Sequence, residues 1–242
     1  LSKSSGYIRQ VSGLTTDLDR ISEQLFGLKT NGGDEFCGKV IDVATSELNW
    51  SHNRDNRALK MIYIAGNEPF TQGPVTYQRA MKAAIKQGIV VNTIHCGTEH
   101  EGIQGKWKDA ARLADGSYLV INQDQQVAQV QAPQDRKLEE LNAKLNQTYV
   151  AYGDKGVEAK ARQEEQDETA AQLGVNTAAT RATFKASESY ESADWDLVSA
   201  AEEGTVDLDD VEAEALPAPM RSMSTTEKKT YVKEKAAERK AL

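Results

Sequence analysis

The chain has 242 residues, of which 39% are hydrophobic and 27% are charged, and its formal net charge is −8 at pH 7. Binding to nucleic acid without sequence preference needs clustered Lys and Arg, so this charge leads us to expect no nucleic-acid partner. No segment has the roughly 18 to 20 consecutive apolar residues that span a bilayer, and we expect no transmembrane segment. The first residue is Leu, and we expect the natural start to lie upstream.

The N-terminal third predicts one strand and two helices. Residues 6–11 alternate weakly and indicate a strand. Apolar residues recur at helical spacing over residues 18–26, and either Thr15 or Thr16 is expected to cap this helix. A second helix is predicted to open near Asp34, because the apolar residues that follow it repeat on one face.

Strands and helices then alternate. Continuous apolar runs predict buried strands over residues 59–65 and 89–96, and an amphipathic helix over 75–87 connects them. A short helix around Trp107 leads to a third strand over 118–121. This order predicts an α/β fold with a doubly wound, mainly parallel sheet and helices on both faces.

The composition changes towards the C-terminus. A helix is expected from Asp135, and the division into domains is placed after it: an α/β domain over residues 1–147 and a charged, mostly helical extension over 148–242. Within the extension, the acidic composition of residues 202–214 predicts a mobile loop. A last charged helix is expected from about Thr225.

Three segments resemble, in this order, the bacterial von Willebrand factor type A domain proteins. They are the run from Leu59 to Phe70, the run from Gly88 to Gly97, which ends in Ile-His-Cys-Gly, and the segment from Trp107 to Tyr118. The resemblance covers about residues 6–147. It implies a Rossmann-like domain whose first part lies upstream, a function in protein binding or adhesion, and an exported protein in the periplasm or at the cell surface.

The hallmark of that family is a metal-ion-dependent adhesion site. Its Asp-X-Ser-X-Ser motif is absent from this sequence, but Asp34 stands where the family has Thr, and Asn67 with Glu68 stands near the place of the family Asp. These side chains carry hard oxygen donors of the kind that Mg²⁺ and other divalent cations prefer. A filled site is expected to coordinate an acidic residue of a partner protein. Alternatively, Asp34 caps a helix and Asn67 begins a turn.

The leading hypothesis is therefore an interaction module without catalysis. Its docking edge consists of loops at the carboxyl ends of the strands, where open α/β sheets bind ligands. The residues expected to contact a protein partner are Thr30, Glu35, Phe70, Glu99 and His100.

The two cysteines, Cys37 and Cys96, exclude a disulfide framework and a four-cysteine zinc site. Both lie next to loops expected at one edge of the sheet. Two alternatives stay open: one disulfide between them, or two separate buried thiols.

Residues 32–36 spell Gly-Gly-Asp-Glu-Phe, the string that names the diguanylate cyclases. It supports an alternative, a metal-assisted nucleotidyl or phosphoryl transfer enzyme that uses Asp34 and Glu35. In that family the string lies on a hairpin between two strands. Here the residues after it have helical periodicity, which favours the interaction module.

Overall fold

A computed structural model describes residues 8–29, 33–51, 58–122 and 132–242. The chain forms two compact units, one of Leu1–Thr15 with Lys29–Val127 and one of Thr16–Leu28 with Ala128–Leu242. We call them the sheet unit and the helical unit. The first helix, α1 (Leu18–Phe26), lies in sequence between the two segments of the sheet unit but belongs to the helical unit.

The described part of the sheet unit alternates strands and helices. Its strands are β1 (Lys60–Gly66), β2 (Ile89–Cys96) and β3 (Tyr118–Ile121). Its helices are α2 (Cys37–Glu47), α3 (Tyr77–Lys86), α4 (Glu99–Gln104) and α5 (Trp107–Leu113).

The three strands form one parallel sheet in the order β1, β2, β3. Ile62 pairs with Val91, and Thr93 lies between Ile64 and Tyr118. The predicted α/β class with a parallel sheet is therefore confirmed. The sequence predicts each of these strands to within one residue at either end.

The core of the sheet unit lies on one face of the sheet. Successive side chains of a strand point to opposite faces, and Ile62, Val91 and Tyr118 point towards α3 and α5. The largest fully buried core side chains on the helices and loops of this unit are Ile41, Phe70, Met81 and Trp107. In the described residues, the helices that pack into this core cover a single face, so helices on both faces stay a prediction.

Two glycines permit backbones to approach closely in the sheet unit. A Cβ at Gly38, in the first turn of α2, would collide with the backbone carbonyl of Val75 just before α3. A Cβ at Gly116 would collide with the carbonyl of Val91 in β2. These contacts fix α2 against the start of α3, and the turn before β3 against the sheet.

The described part of the helical unit contains α1 and five further α-helices. These are α6 (Asp135–Asn146), α7 (Gly156–Leu173), α8 (Val175–Lys185), α9 (Leu197–Glu202) and α10 (Thr225–Ala241). None of the helices that the structure describes, in either unit, is long and apolar enough to cross a membrane.

A network of buried polar side chains joins α6, α7 and α8 to helix α1, which is far from them in sequence. Arg181 pairs with Asp167 at 2.9 Å and with Asp19 of α1. Lys185 contacts Asp167 and donates to Asn142 Oδ1 at 2.8 Å. Charged groups replace apolar packing here, which explains why α1 joins a unit far away in sequence.

Arg239 ties the last helix to the middle of the helical unit. Its guanidinium donates to Thr148 Oγ1 at 2.9 Å, to Asp196 Oδ2 at 2.8 Å and to Ser199 Oγ at 2.9 Å. It also lies 4.1 Å from the ring centroid of Tyr149. A planar fork of N–H donors suits this set of acceptors.

Several predictions about local structure were wrong. Residues 8–11 form no strand, and residues 6 and 7 lie outside the described residues. The side chain that caps α1 is Asp17, which accepts from the Arg20 N–H at 2.9 Å, not Thr15 or Thr16.

The division of the chain also differs from the predicted one. The compact units place α6 with the C-terminal residues, so the change of unit comes before it and not after residue 147. Within residues 202–214, predicted as a mobile acidic loop, the side chain of Leu208 is buried in the second core with Leu216 and Met220. A few apolar side chains spaced among the acids are enough to hold this segment.

Candidate functional site

The carboxyl ends of the three strands meet at one edge of the sheet. Gly66 ends β1 and Cys96 ends β2, and the loops that follow lie beside each other. We call the loops of residues 33–36 and 66–73, together with the segment of residues 97–105 that contains α4, the docking edge. In open α/β sheets ligands bind outside this edge.

Gln72 connects two of these loops through its side-chain amide. Its Oε1 accepts a hydrogen bond from the Glu35 N–H at 2.8 Å, and its Nε2 donates to Glu68 Oε2 at 3.1 Å. The carboxylate of Glu35 lies against Gly66, where a Cβ would collide with it. One glutamine therefore fixes the loop before α2 to the loop after β1.

Trp107 connects the loop after β1 to the start of α5. Its indole Nε1 donates to the Glu68 carbonyl at 2.9 Å, and the Phe70 N–H donates to the Gly105 carbonyl at 2.8 Å. The rings of Phe70 and Trp107 pack edge to face with centroids 4.8 Å apart. Phe70 is fully buried, so its predicted contact with a partner is wrong: it anchors the loop from inside.

A capping box starts helix α4 directly after β2. Glu101 Oε2 accepts from the Thr98 N–H at 3.0 Å, and Thr98 Oγ1 accepts from the Glu101 N–H at 3.3 Å. Hydrogen bonds from the Thr98 side chain and then from its backbone hold the pKa of Glu101 below its usual value. Glu99 and His100, both expected to contact a partner, lie exposed in this turn.

His95 precedes this loop but does not belong to its surface. It is buried on the core face of β2, with its ring centroid 5.6 Å from that of Trp107. Within the part of the chain that the structure describes, neither ring nitrogen has a hydrogen-bond partner. His95 is therefore a core residue, whereas His100 is exposed at the surface.

The predicted metal ligands Asp34, Asn67 and Glu68 all belong to the docking edge. Asp34 and Asn67 are exposed, and Glu68 is half-buried with one carboxylate oxygen bound to Gln72. Across residues 8–29, 33–51, 58–122 and 132–242, no three His, Cys, Asp or Glu side chains are placed to share a metal ion.

Both cysteines are free thiols in this structure. Cys37 is buried in the core of the sheet unit, whereas Cys96 points to the opposite face of the sheet because of the alternation along β2. Burial first, and the charge of Glu35 second, raise the pKa of the Cys37 thiol to about 12. This geometry matches the alternative of two separate thiols.

Two other sequence-based expectations concern the start of the docking edge. Thr30, predicted as a partner contact, lies outside the described residues. Asp34 and Glu35 lead directly into α2 and not into a strand, so the described part of the string in which they occur has no hairpin of the cyclase type.

Sequence reasoning missed Gln72 and the role of Trp107. Neither residue type signals a site when it stands alone, and their partners are 37 and 39 residues away in sequence. The capping box had a readable signal, since Thr98 and Glu101 have the spacing Thr-X-X-Glu.

Comparison with models of known protein families, with curated proteins and with solved structures finds no match for this chain. The resemblance to von Willebrand factor type A domains therefore rests on the sequence motifs given above.

Proposed function

We propose that the chain is an interaction module of the von Willebrand factor type A kind, which binds a partner protein through the docking edge without catalysis. The observation that carries the proposal is the Gln72 side chain. Its Oε1 accepts from the Glu35 N–H and so joins the loops of residues 33–36 and 66–73, and its Nε2 donates to Glu68 within the second loop. Loops that are held in place before binding lose less conformational entropy when a partner arrives.

The charge of the docking edge indicates the chemistry of the partner. Asp34, Glu99 and Glu101 are exposed there, and residues 33–36, 66–73 and 97–105 contain no Lys or Arg. A surface with an excess of carboxylates attracts basic partners and raises their association rate. We therefore propose direct recognition of a basic segment of a protein.

The test compares capture of partner proteins by the native chain and by an Asp34→Lys, Glu99→Lys double variant. A Glu165→Lys, Glu234→Lys variant is the control, because both residues are exposed in the helical unit and the change in net charge is identical. We expect a protein that the native chain and the control retain equally and that the edge variant loses at least about tenfold. Equal retention by all three chains would refute the proposal.

A version that uses a divalent cation predicts the opposite partner charge, because a bound Mg²⁺ would coordinate an acidic residue of the partner. Calorimetric titration of Mg²⁺, Mn²⁺ and Ca²⁺ into the native chain, Asp34→Ala and Glu68→Ala separates the two versions. Direct recognition predicts no saturable binding of any cation. Saturable binding that either variant abolishes would replace it with the metal-bridged version.

A further inference from the structure

The sheet has a second face that the core of the sheet unit does not use. We call it the open face. Four of its large apolar side chains are exposed: Tyr63 at 62%, Ile121 at 54%, Leu119 at 49% and Met61 at 37%. By the strand register its other members are Ala65, Val90, Asn92, Ile94 and Cys96.

No side chain of the open face is charged. The one amide on it, Asn92, is buried, and its Oδ1 accepts from the Ser117 N–H at 2.9 Å. The face therefore offers contact area that needs no counter-charge, and its exposed hydroxyl, that of Tyr63, donates to Met61 Sδ at 3.6 Å. Contiguous exposed apolar surface of this kind marks interaction sites on soluble proteins.

The architecture of the sheet indicates what covers such a face. Parallel sheets occur almost only where helices pack on both faces, and in the described residues the core helices α3 and α5 lie on one. We propose that the open face binds an amphipathic α-helix of a partner protein, whose contacting ridge is apolar and uncharged. This proposal rests on the sheet alone and not on the proposed docking edge.

The dimensions of the face match a single helix. Three strands spaced by about 4.8 Å give a width of roughly 10 Å between the outer strands, close to the diameter of a helix of about 10 to 12 Å. Strands of seven and eight residues, at about 3.3 Å per residue, have the length of about 16 helical residues.

The same dimensions argue against a second copy of the chain as the occupant. A stable interface between globular proteins buries about 800 Å² on each partner. A face of about 10 by 25 Å falls well below this area. One side of a single helix has a contact surface of the available size.

The test uses a fluorescently labelled peptide of 18 residues, with Leu and Ala on one side of the helix and Glu and Lys on the other. It is titrated with the full chain while fluorescence anisotropy and circular dichroism at 222 nm are recorded. We expect saturable binding in a 1:1 ratio together with a gain of helicity. A peptide of the same composition with its leucines dispersed is expected to bind at least tenfold more weakly.

Charged substitutions on the open face identify the binding surface. Tyr63→Lys and Leu119→Lys are each expected to weaken binding of the peptide at least tenfold. The control is Val157→Lys in the helical unit, where Val157 is 78% exposed, and it is expected to leave binding unchanged. Because the substituted side chains are exposed, all three variants should keep the thermal unfolding midpoint of the native chain.

Two results would overturn the proposal. One is absence of binding, or binding that Tyr63→Lys and Leu119→Lys leave unchanged. The other is a dimer of the native chain in sedimentation equilibrium that Tyr63→Lys dissociates, which would assign the open face to a second copy.

Discussion

Lys185 lies at the centre of the buried ion network of the helical unit. Its side chain is 0% exposed and contacts Asp167, and its Nζ donates to the amide oxygens of Asn142 and Asn146. A buried charge costs free energy unless charges and hydrogen bonds around it compensate. Removing one member of such a pair leaves the other buried without compensation, so the loss exceeds the value of the contact itself.

We predict that Lys185→Ala lowers the free energy of unfolding by about 3 to 5 kcal/mol, measured by urea denaturation. The control is Lys137→Ala, because Lys137 and Glu140 form an ion pair with side chains 61% and 51% exposed; a surface pair contributes about 0 to 1 kcal/mol. Equal effects of the two substitutions would show that the network does not hold the unit together.

The pH dependence of stability follows from Asp167. Burial alone would raise the pKa of its carboxyl group, but the charge of Lys185 and hydrogen bonds from Lys185 and Asn146 outweigh burial and lower it. A pKa that is lower in the folded state contributes stability above the unfolded value of about 3.9. That stability is lost as the pH falls through the folded value.

We therefore predict that the native chain loses more free energy of unfolding between pH 7 and pH 3 than Asp167→Asn does. Urea denaturation at both pH values measures the difference. An unchanged pH dependence in Asp167→Asn would mean that this carboxyl group is not responsible for it.

The two thiols are predicted to react differently with iodoacetamide in the folded chain. Only the thiolate attacks, and burial first and then Glu35 raise the pKa of Cys37 to about 12. Mass spectrometry after brief alkylation without reductant should find Cys96 modified and Cys37 unmodified. If both resist until a reductant is added, the two residues form a disulfide.

At the scale of elements, α2 depends on contact between backbones. Gly38→Ala places a methyl group against the Val75 carbonyl, and neither helix α2 nor the start of α3 can yield without moving the core. We predict a loss of about 1 to 3 kcal/mol in the free energy of unfolding, as for other overpacked sites.

Gly13→Ala is the matched control, because the nearest atom to a Cβ at Gly13 is Gln10 Nε2 at 3.8 Å. Calorimetric unfolding of both variants should show a lower midpoint for Gly38→Ala only. A shift of equal size in Gly13→Ala would point to glycine entropy and not to the contact with Val75.

Elements with strong apolar periodicity were predictable, and those defined by other forces were not. β1, α3, β2 and β3 each have a continuous or periodic apolar pattern that fixes type and position. The six residues of α4 carry no such pattern, and the Thr98 capping box starts this helix instead. Helix α1 was predictable as a helix, but the ion pair of Asp19 with Arg181 that places it in the helical unit joins residues far apart in sequence.

At the scale of the whole molecule, only part of the candidate site followed from the sequence. The place of the docking edge follows from the alternation of strands and helices, and the exposed residues Glu99 and His100 were predicted there. The inward position of Phe70 was not predicted. An aromatic side chain in a loop can point inwards or outwards, and the packing of Trp107 against Phe70 decides between the two. Gln72 joins loops that no local pattern relates.

We propose two separate partner surfaces on the sheet unit, the acidic docking edge and the apolar open face. They differ in chemistry, so salt affects them differently. Screening weakens contacts between exposed charges, whereas apolar burial does not depend on charge. We expect partners of the docking edge to dissociate as the salt concentration rises. We expect the helical peptide to stay bound to the open face at the same salt concentrations.

Amide hydrogen exchange tests the central claim, that Gln72 holds the docking edge rigid before any partner binds. In the native chain we expect the N–H groups of Glu35 and Phe70 to exchange at least about a hundredfold more slowly than in an unstructured peptide. In Gln72→Ala the Glu35 amide should lose this protection, while that of Thr93, bonded to the Ser117 carbonyl at 3.0 Å, is retained. Exchange of Glu35 and Phe70 at unstructured rates in the native chain would contradict the account.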